Sequence, residues 1–312
     1  MRKYTIVRSV NQTGDLLSDE WEFLSHFVDA SGKPFYMGHR LGDYRHYPLN
    51  LKKEQSIRHY KSVGQMMKEA FIYFGLTGVE FDVRLFLKGD DTIYITHDPL
   101  GYPDDIGPQG RDYLQNSTLE LLLDTYIQEK YYEIGPLGIE LKSQPVLRGE
   151  RGYFSHDMAY MGRLISALQR LLGRMLGRGR LAKKIRSRLL FASFDLPTLE
   201  RLHREIGPDY GCYLILTAEN RLLGGLGKLV YHNDPLWKKQ KERIGRAHFL
   251  SGIWFDPAFM QEPGLTISEL SAHRSRPLEV YLSTYYSGRE LLAARLARGP
   301  RLTIRGLFFE LD

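Results

Sequence analysis

Cysteine is nearly absent from this 312-residue sequence, which contains Cys212 alone. One cysteine cannot form an intrachain disulfide, and it cannot supply the thiolate cluster of a structural zinc site. The chain also lacks an uninterrupted apolar run of about 18 residues, the length that a membrane-spanning helix requires. Its first residues are charged and polar and do not resemble a signal peptide, so we expect a protein of the reducing cytoplasm.

Acidic residues are missing from one stretch, residues 163–188, which carries nine arginine or lysine residues. The formal net charge of the chain is +6, and removing these nine charges leaves −3 for the rest. The basic character is therefore local, and we expect no nucleic-acid partner. Apolar residues at helical spacing in this stretch predict a helix packed on a sheet. Its arginine-rich face is also suited to weak contact with an anionic membrane surface.

Short runs typical of β-strands alternate with helical patterns along the chain. Nine such runs lie at 35–40, 79–86, 92–98, 138–144, 188–194, 212–218, 249–257, 278–286 and 306–311. Helical patterns lie at 62–74, 117–128, 157–176, 197–206 and 288–297, and Ser117 with Glu120 forms a capping-box pattern at the second of them.

The alternation of strands and helices predicts an α/β protein whose strands pair in parallel. About eight strand–helix units predict a closed (β/α)₈ barrel of the TIM type, and one of the nine runs is then an extra strand or a loop. We therefore expect a single barrel domain over residues 35–312 and an N-terminal extension over residues 1–34.

Polar residues lie near the ends of the first four runs, where a buried strand would ordinarily carry apolar ones. They are His39 and Arg40 in the first run, Glu80 and Asp82 in the second, His97 and Asp98 in the third, and Glu140 and Lys142 in the fourth. Residues two apart on a strand share a face, and two carboxylates on one buried face repel each other unless a cation lies between them.

These acids predict a site for one divalent cation, Mg²⁺ or Ca²⁺, with Glu80, Asp82 and Glu140 as ligands. Two alternatives stay open at this point. The two acids of the second run could lie on the exposed face of an edge strand. Glu140 and Lys142 could form a simple ion pair that needs no metal.

The two histidines are suited to act as general base and general acid in the cleavage of a phosphodiester, whereas a lone histidine at a strand end is more often structural. In this interpretation His39 and His97 are the catalytic pair, and Arg40 and Lys142 neutralise the charge of the phosphate. The expected partner is a small-molecule phosphodiester substrate.

Five motifs resemble, in order, those of the glycerophosphodiester phosphodiesterase family. They are GHRLG at 38–42, VEFDVRL at 79–85, ITHDPL at 95–100, IELK at 139–142 and FASFDLPTLERL at 191–202. The resemblance implies the same barrel, the same catalytic histidines, the same three metal ligands and the same phosphate contacts.

The chain departs from this family near the substrate end of such a barrel. The segment after the first histidine is longer than in the family and contains Tyr44 and Tyr47, which are suited to contact a sugar or a similar hydroxyl-rich group. We therefore expect a substrate that carries a group larger than glycerol. Trp254 and Tyr285 either line the substrate pocket or fill the barrel.

Two other functions fit the same residues. One is a synthase or transferase that forms a phosphodiester, such as an opine-type sugar phosphodiester, at the same site. The other is a catalytically idle barrel that binds anionic lipid or a protein, although the retention of buried charges argues against it.

Overall fold

The computed structural model describes residues 36–42, 47, 61–97, 99–142, 145–146, 155–216, 242–255, 274, 278–283 and 302–309. The strands in these ranges are β1 Tyr36–Gly38, β2 Gly78–Arg84, β3 Tyr94–Ile95, β4 Leu137–Leu141, β5 Pro145–Val146, β6 Ser155–His156, β7 Leu189–Ser193, β8 Gly211–Leu216, β9 Gly252–Phe255, β10 Leu278–Ser283 and β11 Leu302–Phe309. The helices are α1 Val63–Lys68, α2 Pro108–Gln115, α3 Leu119–Gln128, α4 Met158–Leu176, α5 Arg180–Arg186 and α6 Leu196–Ile206.

Eight of these strands are linked by parallel pairings into one continuous ring. β1 pairs with β2 on one side and with β11 on the other, and the order continues β11-β10-β9-β8-β7-β4-β2. The expectation of an α/β protein with a parallel sheet is therefore confirmed for the described residues. The run at 92–98 is the extra one, because β3 pairs antiparallel with β2 and lies beside the ring.

Side chains along each strand of the ring alternate between an outer and an inner layer, as strand geometry requires. Val79, Phe81 and Val83 of β2 belong to the large apolar core that also contains the buried faces of the helices. A smaller cluster fills the inside of the ring and consists of Met37, Leu190, Ala192, Tyr213, Ile215, Trp254 and Tyr281. The even-numbered residues of β2, which include the two acids, therefore face the inside of the ring.

The helices form largely where the sequence predicts them. α1 is capped by Ser62 and continues into a π-helical turn, Glu69–Tyr73. The predicted capping box is wrong, because α3 begins one residue later than that pattern requires. Thr118, not Ser117, accepts a hydrogen bond from the amide of Leu121.

The basic stretch includes most of α4, whose apolar face is buried as predicted, and all of α5, which the sequence pattern does not indicate. α5 lies at the amino ends of the strands. Lys184 Nζ is 3.3 Å from Glu133 Oε1, just before β4. Arg186 Nη1 is 3.6 Å from Asp209 Oδ2, just before β8, and the carbonyl of Arg188 accepts from the amide of Leu137 at the start of β4.

No helix within the described ranges has both the length and the apolar character needed to cross a bilayer. Several expectations fall on residues outside those ranges: the N-terminal extension 1–34, the helix at 288–297, and the side chains of Tyr44, Asp98 and Tyr285.

Candidate active site

The turn after β1 brings the first predicted catalytic residue to the inside of the ring. His39–Gly42 forms a tight 3₁₀ turn in which Arg40, Leu41 and Gly42 all have positive φ, at 49°, 58° and 79°. Glycine adopts this conformation readily, whereas Arg40 and Leu41 adopt it at a cost. The turn directs the amide of Arg40 at Glu80, whose Oε2 accepts a hydrogen bond of 3.1 Å from it.

The three predicted metal ligands lie together at the inner face of two neighbouring strands. Asp82 of β2 is directly opposite Glu140 of β4, and Glu80 is opposite Gly138. One oxygen from each carboxylate lies within 4.8 Å of the others, and all three side chains are buried. Gly138 allows this arrangement, since a Cβ there would lie 3.0 Å from the Trp254 ring and 3.2 Å from Glu80 Cβ.

Two oxygens of this cluster have no hydrogen-bond donor among the described residues. They are Glu80 Oε1 and Asp82 Oδ2, on side chains that are 1% and 0% exposed. A buried carboxylate oxygen without a donor is costly, and a hard divalent cation is the ligand that oxygen clusters of this kind bind. The residues present therefore fit a divalent cation, and the inward orientation excludes the exposed edge strand considered above.

Lys142 lies between two of the acids. Its Nζ is 3.2 Å from Asp82 Oδ1 and 2.9 Å from Glu140 Oε1, so the ion pair with Glu140 exists within a larger cluster. Burial raises the pKa of Asp82, but the positive charge of Lys142, followed by those of His97 and Arg40, more than compensates. The pKa of Asp82 is therefore held well below its usual value.

Glu80 has the opposite electrostatic environment. Burial, followed by the charges of Asp82 and Glu140, raises its pKa well above the usual value, and the amide of Arg40 opposes this only in part. Three acids with one lysine between two of them leave an excess of buried negative charge, which a divalent cation would offset.

The two histidines flank the carboxylates from the solvent side. His39 Nε2 is 3.6 Å from Glu80 Oε2, and the His39 side chain is 19% exposed. His97 is also half-buried, and the charges of both histidines contribute to the low pKa of Asp82. The structure thus brings both predicted catalytic residues to the mouth of the carboxylate cluster.

His97 reaches this position by a route that differs from the prediction. The sequence places it at the end of a parallel barrel strand, whereas it follows the antiparallel β3. Because β3 runs back along β2, the amide of Thr96 donates to the carbonyl of Asp82 at 3.1 Å, and His97 follows directly. Arg84 Nε holds the carbonyl of His97 at 2.8 Å.

The other predicted substrate contacts that the structure describes lie in three different environments. Trp254 is buried inside the strand ring, where its indole stacks with the aromatic ring of Tyr213. Tyr47 is fully buried and accepts a hydrogen bond from the amide of Asp82, which differs from its expected position facing a substrate. Arg40 lies close enough to lower the pKa of Asp82 by its charge.

Some residues of the site were missed by sequence reasoning. Arg84 is two residues beyond Asp82 on the same buried strand, so the spacing that identifies the acids could also have identified it. Phe194 lies with its ring centroid 5.7 Å from Lys142 Nζ, a cation–π contact. Asp195, in the same motif, caps α6 by accepting from the amide of Thr198 at 2.9 Å, which is a structural role.

Comparisons with known proteins find likeness among solved structures. No protein-family model matches the sequence, and no curated protein matches it. Among solved structures, a similar one is the glycerophosphoryl diester phosphodiesterase domain of an uncharacterized protein from Mycobacterium tuberculosis. The two chains are 11% identical with a TM-score of 0.42, over 88% of this chain and 96% of that one.

Proposed function

We propose that this chain is a metal-dependent phosphodiesterase on a (β/α)₈ barrel, with its site at the carboxyl ends of the strands. The observation that carries the proposal is the cluster of buried carboxylates of Glu80, Asp82 and Glu140, with two half-buried histidines at its mouth. The motifs that resemble the glycerophosphodiester phosphodiesterase family support the same chemistry.

Each side chain of the site would have its own role in phosphodiester cleavage. A divalent cation, Mg²⁺ or Ca²⁺, held by the three carboxylates would supply the positive charge that stabilises the phosphate oxygens during attack. Glu80 would bind it through Oε1, since its Oε2 is already used by His39 and the amide of Arg40. Lys142, together with the Arg40 side chain, would neutralise the remaining charge of the phosphate.

The two histidines would transfer the protons of the cleavage reaction. One of His39 and His97 would take the proton of the attacking hydroxyl, from water or from the substrate itself, at a ring nitrogen. The other would protonate the oxygen of the leaving alcohol. Their partial exposure at the mouth of the cluster leaves both within reach of a substrate that enters from solvent. We propose a substrate that carries a sugar or another hydroxyl-rich group.

Assays on a panel of phosphodiesters would test this function. The panel includes simple glycerophosphodiesters and sugar phosphodiesters, each with Mg²⁺, with Ca²⁺ and with EDTA. We expect turnover that EDTA abolishes and excess cation restores. Phosphorus NMR of the products separates attack by water, which gives a phosphomonoester, from internal attack, which gives a cyclic phosphate, and from synthesis of a new diester. A chain that binds the cation but cleaves none of the panel would contradict the proposal.

We also propose that contact with an anionic membrane surface is confined to the basic turn, defined as residues 178–183, which joins the end of α4 to the first turn of α5. Five basic side chains of the stretch 163–188 form ion pairs, namely Arg163 and Arg170 with Asp91, Arg174 with Glu120, Lys184 with Glu133 and Arg186 with Asp209. Arg178, Arg180 and Lys183 are exposed and form no ion pair within the described ranges, and Leu181 between them is 53% exposed.

Vesicle binding would test this second proposal. Each cation near an anionic surface contributes ~1 kcal/mol, so replacing Arg178, Arg180 and Lys183 together by glutamine should weaken binding to phosphatidylserine vesicles on the order of a hundredfold. The matched control replaces the paired Arg170 and Arg174 by glutamine and should change binding much less. Equal losses in the two variants would show that the turn has no special role.

A further inference from the structure

Strand β2 extends beyond its neighbour β1, so the amide of Asp82, next to the candidate metal site, has no acceptor in β1. β1 ends at Gly38, which pairs with Val79, whereas β2 continues to Arg84. On the other side of β2, the amide of Val79 donates to Pro136 and the carbonyl of Val83 accepts from Lys142. Neighbouring residues of a strand direct their amide and carbonyl groups to opposite sides. The amide and carbonyl of Asp82 therefore point toward the side where β1 has ended.

Tyr47 occupies this position. Its phenolic oxygen accepts a hydrogen bond of 2.7 Å from the amide of Asp82, and it lies 3.5 Å from the carbonyl oxygen of the same residue. The ring is fully buried. Tyr47 therefore does for Asp82 what the carbonyl of a longer β1 would do, while β3 completes the pairing by donating from Thr96 to the carbonyl of Asp82.

We propose that Tyr47 is a positioning residue that fixes the main chain of Asp82, and thereby its carboxylate, for binding of the divalent cation. The inference rests on the proposed function and adds a residue that contacts neither cation nor substrate. Tyr47 belongs to the long segment between His39 and α1, which distinguishes this chain from the family that it resembles. Without the phenolic oxygen, the buried amide of Asp82 would lose its acceptor, and the strand would shift or admit water.

The chain provides a matched control at Leu85, one residue beyond the end of β2 and three residues after Asp82. The amide of Leu85 donates to the phenolic oxygen of Tyr160 at 2.7 Å, and that hydroxyl donates to the carbonyl of Leu85 at 2.8 Å. Tyr160 is 5% exposed, so it is a second buried tyrosine bonded to the main chain, directly after the last residue of β2. It differs from Tyr47 in that the residue it holds carries no carboxylate.

Calorimetric titration of the metal-free full chain with Mg²⁺ or Ca²⁺ separates the two roles. We expect Tyr47→Phe to weaken the affinity for the cation roughly tenfold or more, the usual effect of losing a group that orients a ligand. We expect Tyr160→Phe to lower the melting temperature comparably and to leave the affinity within about twofold of the wild-type value. Wild-type affinity in Tyr47→Phe, or equal weakening in both variants, would overturn the inference while leaving the proposed function intact. No binding by the wild-type chain would overturn both.

Hydrogen exchange of the wild-type chain gives a measurement that needs no variant. Because its acceptor is a buried phenol, the amide of Asp82 should exchange as slowly as the amide of Val79, which is bonded within the sheet. Fast exchange at Asp82 alone would contradict the bond to Tyr47, and with it the positioning role, even if Tyr47→Phe failed to fold.

Discussion

Alanine at His39 or at His97 should lower turnover of the phosphodiester by roughly 10² to 10⁴, the range expected when a positioned acid or base is lost. Both side chains are half-buried at the mouth of the carboxylate cluster, so neither contributes much to the apolar core. The melting temperature should therefore change little. Turnover with saturating cation, together with thermal unfolding of each variant, measures the two effects separately.

His248 provides the control for this experiment. It is exposed in the turn that precedes β9, at the amino end of the ring and away from the carboxylates. Its replacement by alanine should leave turnover unchanged. If either His39→Ala or His97→Ala kept turnover close to the wild-type value, that histidine would have a structural role, and the assignment of the acid–base pair would be wrong.

Glutamine at Glu80 should abolish the calorimetric signal of cation binding. The substitution preserves the shape of the side chain but removes the charge of a ligand whose Oε1 has no donor in the described part of the chain. The same change removes one of three buried like charges. The metal-free variant should therefore unfold at a higher temperature than the metal-free wild-type chain, because folding no longer buries that charge.

The combination of lost binding and raised stability is specific to a metal ligand. Glu69 is the control, since it pairs with Lys61 at 2.6 Å outside the site, and Glu69→Gln should leave cation binding unchanged. If Glu80→Gln bound the cation as tightly as the wild-type chain, Glu80 would have to be removed from the ligand set.

The sequence predicts the ligand-bearing strands well because a fully buried strand leaves few alternatives. Val79, Phe81 and Val83 on one face force the acids between them onto the other, and that face is the inside of the ring. The direction of β3 could not be predicted in the same way. Alternating side chains identify a strand but are equally compatible with parallel and antiparallel pairing.

The role of Tyr47 was also beyond the sequence, for a different reason. A tyrosine in a long polar segment carries no periodic signal, and its bond to Asp82 joins residues 35 positions apart. The cap of α3 illustrates a smaller error of the same type. Ser117 and Thr118 are both good capping residues, and only the packing that buries Ser117 decides between them.

The basic turn and the candidate active site lie at opposite ends of the strand ring, and this separation has a consequence for how substrate is delivered. Arg178, Arg180 and Lys183 adjoin the amino ends, whereas Lys142 and the carboxylates lie at the carboxyl ends. A bilayer that attracted the basic turn would orient the protein with its candidate active site toward the aqueous phase. Such an anchored enzyme would draw on dissolved phosphodiesters that diffuse past the surface, and the lipids of the membrane beneath it would stay out of its reach.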